Sequence, residues 1–257
     1  MKHSTLTRIA LLGALAAAPA VYLFAEDKPQ TDNATQAAAR ADEQGFKPLF
    51  DGKSLEGWEG REGFWSVKDG CITGQTKKDA SGKDFAGPNT FLVWKGGDVS
   101  DFELRCEYKI VGGNSGIQYR SKLMDPRLFI VGGYQADFEA GTTYSGINYE
   151  ERGRGILAQR GTKVTLEGDN AKKEEKLPMT SEQLQKAIKR EDWNEYVVIA
   201  DGPHLTHEIN GNTTSEVIDH TDKAAKSGIL ALQLHAGPPM TVQFRNIRIK
   251  KLGGDGK

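Results

Sequence analysis

Acidic, amide and basic side chains are concentrated between Asn114 and Arg154, in a stretch interrupted by glycines. Within it, the segment Gly133–Glu139 reads GYQADFE. Because successive side chains of a strand point to opposite faces, Gln135, Asp137 and Glu139 should share one face. Such a face can bind and act on a sugar. The simpler alternative is a solvated face, since antiparallel sheets commonly leave one face in water.

A second candidate comes from the segment Leu230–His235, which reads LALQLH. Strand alternation places its three leucines on one face, and Gln233 and His235 on the other. The turn AGPP follows directly, so His235 should lie at a strand end beside the cleft, where imidazole could transfer protons. Three other histidines are interpreted as structural or incidental, and they are His204, His207 and His220.

These patterns predict that several polar side chains from separate strands converge on one concave face. Each falls on the polar alternation of its own strand. The predicted set is Gln118, Arg120, Gln135, Asp137, Gln233 and His235.

Composition limits the classes of function. The 257 residues carry 34 basic and 35 acidic side chains and 30 glycines, which suits one sizeable domain with tails. No basic stripe is present, so binding to nucleic acid is not expected.

The N-terminal segment 1–25 has a basic start and a following apolar run, which predicts an export signal cleaved after Ala20 or Ala25. An uncleaved anchor is the alternative. No cysteine follows the apolar run, so a lipoprotein anchor is not indicated. We therefore expect a periplasmic or secreted protein without stable membrane insertion, with a flexible leader at 26–44, a domain at 45–252 and a tail at 253–257.

Two cysteines, Cys71 and Cys106, are present. An oxidising compartment would permit one disulfide between them, and two buried thiols are the alternative. The sequence does not give the distance between their backbones, which a disulfide requires to be short.

Short strands bounded by glycine, asparagine and aspartate recur from Phe46 onward, which predicts an all-β sandwich. Asn210-Gly211 is a strong hairpin signal. Thr180 with Gln183 predicts a capped short helix near Ser181–Ile188, whereas Lys163–Lys176 is interpreted as charged and irregular.

Three separate motifs in order, GFKPLFDGKSLEGW, NSGIQYRS with GYQADFE, and LALQLHAGPPMTVQFRNIRI, resemble the 3-keto-disaccharide hydrolase domain family. The resemblance runs from about Gly45 to Leu252. It implies a concanavalin A-like β-sandwich, or jelly roll, of two antiparallel sheets with one short helix. It also implies a secreted or periplasmic protein that acts on an oxidised glycoside or disaccharide.

A ketone at C3 acidifies the proton on C2, so a base can remove that proton and expel the C1 substituent; water then adds to the enone. Such a site needs a base, a group that stabilises negative charge, and an acid. The candidate catalytic residues are Asp137, His235, Arg120, Glu139 and Glu150. The candidate substrate-binding residues are Asn114, Gln118, Gln135, Tyr149, Glu151, Arg152 and Gln233.

A divalent metal ion could stabilise the enolate, with Asp137, Glu139 and His235 as ligands, although no metal-binding spacing motif is present. Two other functions stay open. An ordinary glycosidase could use Asp137 and Glu139 as its carboxylate pair. A non-catalytic module could stack sugar rings on Trp58, Trp94 and Tyr149.

Overall fold

The computed structural model describes Met1 and residues 43–168 and 171–253. The expected export signal, most of the leader and most of the tail lie outside the described residues. Contacts along the chain separate residues 45–257 from the preceding segment, and the fold reported below is that of this later unit.

The described residues form seventeen strands and one helix. In chain order the strands are β1 (Lys47–Pro48), β2 (Trp58–Gly60), β3 (Trp65–Lys68), β4 (Cys71–Thr76), β5 (Thr90–Trp94), β6 (Phe102–Val111), β7 (Asn114–Asp125), β8 (Ile130–Glu139), β9 (Asn148–Glu151), β10 (Gly155–Ala158), β11 (Thr162–Leu166), β12 (Lys172–Lys176), β13 (Asn194–Asp201), β14 (His204–Ile209), β15 (Asn212–Asp219), β16 (Ile229–Leu234) and β17 (Met240–Lys251). The helix, α1, spans Ser181–Ala187.

The strands form two sheets, as the sequence predicts. Sheet A has ten strands in the order β12-β11-β15-β14-β13-β6-β17-β4-β3, with β1 paired to β17. Sheet B has seven strands in the order β10-β9-β8-β7-β16-β5-β2. All pairs are antiparallel except β11 with β15, which is parallel. The all-β sandwich is therefore confirmed, with one parallel pair that strand periodicity could not reveal.

Apolar faces of the two sheets pack together to form the core. In β6, Phe102, Leu104, Cys106, Tyr108 and Ile110 are buried and the residues between them are not. This strict alternation is what one core-facing strand face requires. The leucines at 230, 232 and 234 enter the same core from sheet B.

Local signals at the turn and the helix are confirmed. Asn210 and Gly211 have φ angles of 51° and 74°, both in the left-handed region that a tight hairpin between β14 and β15 needs. Thr180 caps α1 and forms a reciprocal capping box with Gln183.

The interpretation of Lys163–Lys176 as irregular is wrong, because most of it forms β11 and β12. Every residue of β12 is exposed, so the strand carries no alternation of apolar and polar side chains. Its position is instead defined by antiparallel pairing with β11. A strand held only by backbone pairing at a sheet edge gives little sequence signal.

Cys71 and Cys106 are two buried free thiols, so the disulfide alternative is wrong. They lie on β4 and β6, which are separated by β17. Neighbouring strands are about 4.8 Å apart, so strands separated by a third are beyond the reach of a disulfide. Burial raises the pKa of both thiols.

The outer face of sheet B, which points away from sheet A, is divided into an apolar part and a polar part. Phe91, Val93, Val131 and Ala231 form a buried apolar cluster on it, against which Phe129 of the β7–β8 hairpin packs. The polar part lies further along β7, β8 and β16 and carries the candidate site.

Candidate active site

The candidate site is an open pocket of about 390 Å³ on the outer face of sheet B. Strands β7, β8, β9, β10 and β16 and the loop after β8 supply its walls. The lining residues are Asn114, Gln135, Asp137, Glu139, Tyr144, Ile147, Tyr149, Glu151, Ile156, Gln233 and His235. The structure therefore brings together most of the side chains that the sequence predicts for the site.

The floor of this pocket is a chain of buried amides. Gln135 Oε1 accepts hydrogen bonds from Gln118 Nε2 at 2.6 Å and from Gln233 Nε2 at 3.0 Å. Gln135 Nε2 in turn donates to Asp137 Oδ2 at 2.8 Å. Gln118 lies beneath the pocket and is fully buried, so it supports Gln135 and does not itself line the opening. The network fixes the orientation of every amide in it.

A glycine makes room for this floor. Gly116 lies opposite Asp137 on the neighbouring strand, and a Cβ atom there would come within 2.6 Å of Gln135 Cγ. Real Cβ atoms do not approach so closely, so the glycine allows the Gln135 side chain to lie across β7.

Asp137 is a buried carboxylate that lines the opening, with a side chain held from two sides. Its Oδ1 accepts from Asn114 Nδ2 at 2.7 Å, and its Oδ2 accepts from Gln135. Burial raises the pKa of Asp137 to about 7, despite the opposing effect of these two hydrogen bonds. A carboxyl group whose pKa lies near neutrality can exchange protons efficiently at physiological pH.

Glu151 and Gln233 face each other across the pocket. Gln233 Nε2 donates to Glu151 Oε2 at 3.5 Å, and Asn89 Nδ2 donates to Glu151 Oε1 at 3.5 Å. Burial raises the pKa of Glu151, and the Arg152 charge opposes this. Gln233 is 1% exposed, and its Oε1 has no hydrogen-bond partner within the described structure. A buried acceptor of this kind is suited to receive a hydroxyl group of a ligand.

His235 lines the pocket at the end of β16, away from the leucine face of that strand. Its Nδ1 is 2.5 Å from the carbonyl oxygen of Ala236. Since a carbonyl oxygen only accepts, Nδ1 carries the proton, and in the neutral ring Nε2 is the basic nitrogen. The turn that follows is held by a hydrogen bond from the Ala236 N–H to Asn89 Oδ1 at 3.0 Å.

Glu139 also lines the pocket, but its carboxylate is engaged by the loop that follows β8. Its Oε1 accepts from the backbone N–H groups of Thr143 at 2.6 Å and Tyr144 at 2.9 Å. The arrangement suits a role in shaping the loop better than a role as a proton donor.

The structure places Arg120 outside this pocket, so the prediction that it joins the converging set is wrong. Arg120 has a φ angle of 45°, and the register between β7 and β8 shifts there. This bulge reverses the alternation, because Ser121 takes the outward position and donates to Gln118. The Arg120 guanidinium instead donates to the Ser100 and Gly202 carbonyls and to Asp101.

Glu150 also lies away from the pocket, because it alternates with Tyr149 and Glu151 along β9. It forms an ion pair with Arg154 at 2.7 Å, and Arg154 pairs with buried Asp219 at 2.6 Å. Arg152 follows the strand end and is not part of the lining. Tyr149 lines the pocket, as predicted.

A larger cleft of about 670 Å³ contains Arg120, Tyr134 and Asp219 in its walls. These polar groups bond one another or nearby backbone, for example Tyr134 Oη to Asp219 Oδ2 at 2.5 Å. The cleft is therefore a weaker candidate than the smaller pocket, which offers a carboxyl group of raised pKa and an unpartnered amide oxygen.

The proposed metal ligands do not fit a metal ion. Among the described residues, no group of three or more histidine, cysteine, aspartate or glutamate side chains is arranged to hold one. Asp137, Glu139 and His235 are therefore not assigned as a metal site.

Two of the three aromatic residues considered for sugar stacking are not available. Trp58 is buried in the core and donates to the Leu49 carbonyl oxygen at 2.8 Å. Trp94 is partly buried against the same core. The structure instead presents Tyr144 and Ile156 at the pocket rim, which sequence reasoning missed. The sequence signal for Tyr144 was a large side chain in a loop of small residues. Exposed apolar side chains of this kind are common, so this signal alone does not indicate a site.

Comparison with known proteins agrees with this architecture. The chain resembles a candidate glycosyl hydrolase from Parabacteroides distasonis, with a TM-score of 0.52, 18% identity, and coverage of 83% of this chain and 97% of that one. A Bacillus subtilis protein of unknown function with a galectin-like fold gives a TM-score of 0.53 at 12% identity, covering 80% and 94%. At these identities the similarity shows the fold alone.

Sequence comparison gives the family. A 3-keto-disaccharide hydrolase from Bacteroides thetaiotaomicron is 34% identical over 84 residues, which span 30% of this chain and 28% of that protein. Fold and pocket together define an all-β sandwich with a polar pocket on the outer face of one sheet. The profile of the 3-keto-alpha-glucoside-1,2-lyase-like domain matches residues 45–250, and the chain belongs to that family. Within the residues that the structure describes, no helix has the length and apolar character needed to span a bilayer.

Proposed function

We propose that this domain cleaves the glycosidic bond of glycosides oxidised at C3, with Asp137 as the base that removes the proton from C2. The single observation that carries the proposal is the environment of Asp137. A buried carboxyl group with a pKa of about 7 lines an open polar pocket and is held in place by Asn114 and Gln135. A base of this strength is matched to a carbon acid activated by a ketone.

The chemical steps balance without an added oxidant or reductant. Asp137 takes the C2 proton, and the electron pair of that C–H bond forms an enolate with the C3 ketone. The enolate re-forms the ketone while a C1–C2 double bond forms and the C1–O bond breaks. The leaving oxygen takes a proton, and water then adds to C1 while C2 regains a proton. The net result is hydrolysis.

Other pocket residues have roles that follow from their positions. Glu151 has a pKa raised by burial, which favours its protonated form and suits it as the acid for the leaving oxygen. His235 lines the same pocket and is the alternative proton-transfer group. The unpartnered Oε1 of Gln233 would accept a sugar hydroxyl, and the Asn114 amide would donate to the C3 oxygen in place of Arg120.

An ordinary glycosidase is less well supported. The carboxylate pair expected from sequence was Asp137 with Glu139, and Glu139 is bound to two backbone N–H groups. A glycosidase needs one carboxyl group as acid and the other as base or nucleophile, both facing the bond. A non-catalytic sugar-binding module would not need a carboxyl group with a pKa near neutrality.

The export signal expected at residues 1–25 would place this activity outside the cytoplasm. We expect the mature chain to begin after Ala20 or Ala25. Intact-mass measurement of protein from the native host tests this, and recovery of full-length chain from the cytoplasm would contradict it.

The function is tested by incubating purified protein with a glucoside and with its C3-oxidised counterpart, followed by chromatography of the products. Cleavage of the ketone alone is expected. Cleavage of both substrates would favour the ordinary glycosidase, and binding without cleavage would favour the module. A substrate with deuterium at C2 should react several times more slowly if proton removal limits the rate, which identifies the elimination route.

A further inference from the structure

The lining of the pocket divides into two halves of different chemistry. Side chains from β7, β8 and β16 provide carboxyl, amide and imidazole groups. The β9–β10 side and the loop after β8 contribute Glu151, and their other lining residues are apolar or aromatic, namely Tyr144, Ile147, Tyr149 and Ile156. A ligand that filled the whole pocket would therefore meet hydrogen-bonding groups at one end and apolar groups at the other.

We propose that Tyr144, Ile147 and Ile156 form a subsite for an aromatic leaving group, so that the substrates are 3-keto glycosides of aromatic alcohols. This inference rests on the function proposed above for the polar half of the pocket. The sugar would occupy the polar half beside Asp137, and the C1 substituent would extend onto the apolar half. On cleavage the substituent leaves as a phenol, with the proton supplied to its oxygen.

Exposure singles out the two rim residues. Tyr144 is 44% exposed and Ile156 is 37% exposed, although large apolar side chains in this domain are otherwise mostly buried. Val111 and Met124, which are also exposed, do not line this pocket. Exposed apolar groups gathered in one concave surface indicate contact with a ligand, whereas single exposed residues on a convex surface need no explanation.

Tyr144 is held in place by its loop. Glu139 Oε1 accepts its backbone N–H at 2.9 Å, and Arg160 donates to the carbonyl oxygens of Ser145 at 2.7 Å and Thr142 at 2.9 Å. The backbone on both sides of Tyr144 is therefore fixed by charged side chains. A tyrosine side chain has only two torsion angles, so on a fixed backbone it loses little conformational entropy when a ring stacks on it.

The chemistry of this half favours an aromatic ring over a second sugar. A sugar buried there would need partners for several hydroxyl groups, and hydroxyl groups left without partners are costly. Two isoleucines provide none, and the tyrosines provide only one hydroxyl each. A flat apolar ring needs no such partners and matches the surface presented.

The test compares phenyl and methyl 3-keto-α-glucosides on the wild-type protein and on Tyr144→Ala and Ile156→Ala. On each substrate, the kcat/KM of a variant is divided by the kcat/KM of the wild type. The two ratios can then be compared directly, because the difference in leaving-group strength between the substrates cancels. We expect Tyr144→Ala to lose about tenfold on the phenyl substrate, mainly through KM, since an aromatic pair contributes about that factor. The methyl substrate should lose less than twofold. Val111→Ala is the matched control, because Val111 is 46% exposed on sheet A.

Equal losses on both substrates would overturn the subsite, because they would indicate a general structural role for Tyr144. A comparable loss on a 3-keto disaccharide would show that a sugar occupies this half, which also contradicts the proposal.

Failure of the proposed function is recognised separately, by absence of turnover of any 3-keto glycoside by the wild type. Binding of the unoxidised phenyl and methyl glucosides by calorimetry then decides the subsite. Tighter phenyl binding that disappears in Tyr144→Ala supports it, and equal binding rejects it.

Discussion

Buried polar side chains cluster at both faces of sheet B, and each cluster contains a titratable group with a shifted pKa. One of these groups lines an open pocket, and the other is sealed between the two sheets. On the inner face, His207 of sheet A lies between the sheets and bonds Tyr119 Oη at 2.9 Å and the Ile147 carbonyl at 3.2 Å. On the outer face, Asp137 is buried to a similar degree but lines a pocket. Strand β9 contributes to both, with Asn148 inward and Tyr149 outward.

Burial favours the neutral form of both groups, which shifts their pKa values in opposite directions. It lowers the pKa of His207 to about 3 and raises that of Asp137 to about 7. His207 is sealed and its ring nitrogens have partners, so its neutral form serves the fold. Asp137 lines the opening, with Asn114 and Gln135 as its hydrogen-bond partners. A shifted pKa therefore indicates function only when a ligand can also reach the group.

The largest effect is expected from Asp137→Asn, which preserves shape and removes the proposed base. A positioned general base contributes about 10²–10⁴-fold, so kcat/KM on a 3-keto glucoside should fall by at least about 100-fold. The new amide oxygen can accept from Gln135, and its NH2 group can bond Asn114 once the Asn114 amide turns to present its oxygen, so the loss of thermal stability should be small. Asp98→Asn, at an exposed position, is the control and should retain wild-type kinetics. Near-native rates in folded Asp137→Asn would remove this residue from the mechanism and direct attention to His235 and Glu151.

His207→Ala should show the converse pattern. It leaves a cavity and removes the acceptor of the Tyr119 hydroxyl proton, so the free energy of unfolding should fall by about 2–5 kcal/mol. Urea unfolding measures this loss. The folded fraction should keep its kcat within a few fold, because His207 does not line the pocket. A loss of kcat by 100-fold in folded protein would show that the inner cluster is part of the site.

The pH dependence should separate the two groups further. Asp137 has a folded pKa above its unfolded value of 3.8, so its contribution to stability is full below that value and is lost as pH rises through about 7. His207 has a folded pKa below its unfolded value of 6.5, so its contribution is full above 6.5 and is lost as pH falls toward about 3. Each shift corresponds to at most ~4–5 kcal/mol.

Unfolding free energies measured from pH 4 to pH 9 check both signs. Asp137→Asn should lose the decline in stability between about pH 4 and pH 7, and His207→Phe should lose part of the decline below pH 6.5. Activity of the wild type should rise with pH and reach half its maximum near pH 7, as Asp137 ionises. An unchanged stability profile in both variants would show that neither group carries its shifted pKa.

A smaller effect is expected from Gly116→Ala, which should displace Gln135 and weaken its hydrogen bond to Asp137. That bond lowers the pKa of Asp137, so its loss should move the midpoint of the activity profile to higher pH. We expect about a tenfold loss of kcat/KM at pH 6 and a smaller loss at pH 9, from one charge-assisted hydrogen bond. Gly168→Ala is the control, because nothing lies within 4 Å of a Cβ atom there. An equal loss at both pH values would argue against this role for Gln135.

Alternation along single strands was enough to predict much of the site and the fold. Gln135 and Asp137 on β8, and Gln233 and His235 on β16, share the outer face as strand periodicity requires. The hairpin at Asn210-Gly211 and the cap at Thr180 were equally local, because turn and cap preferences depend on a few adjacent residues. The same rule, applied to β9, would have separated Glu150 from Tyr149 and Glu151.

Features that depend on neighbouring strands were decided by the tertiary structure. Arg120 followed the polar alternation but turned away at a bulge, because a single unpaired residue reverses every following side chain. The raised pKa of Asp137, the crossing of Gln135 over Gly116 and the apolar rim at Tyr144 each require groups from different strands or loops to meet. Periodicity assigns a side chain to a face, whereas desolvation and contact depend on what the rest of the chain places beside it.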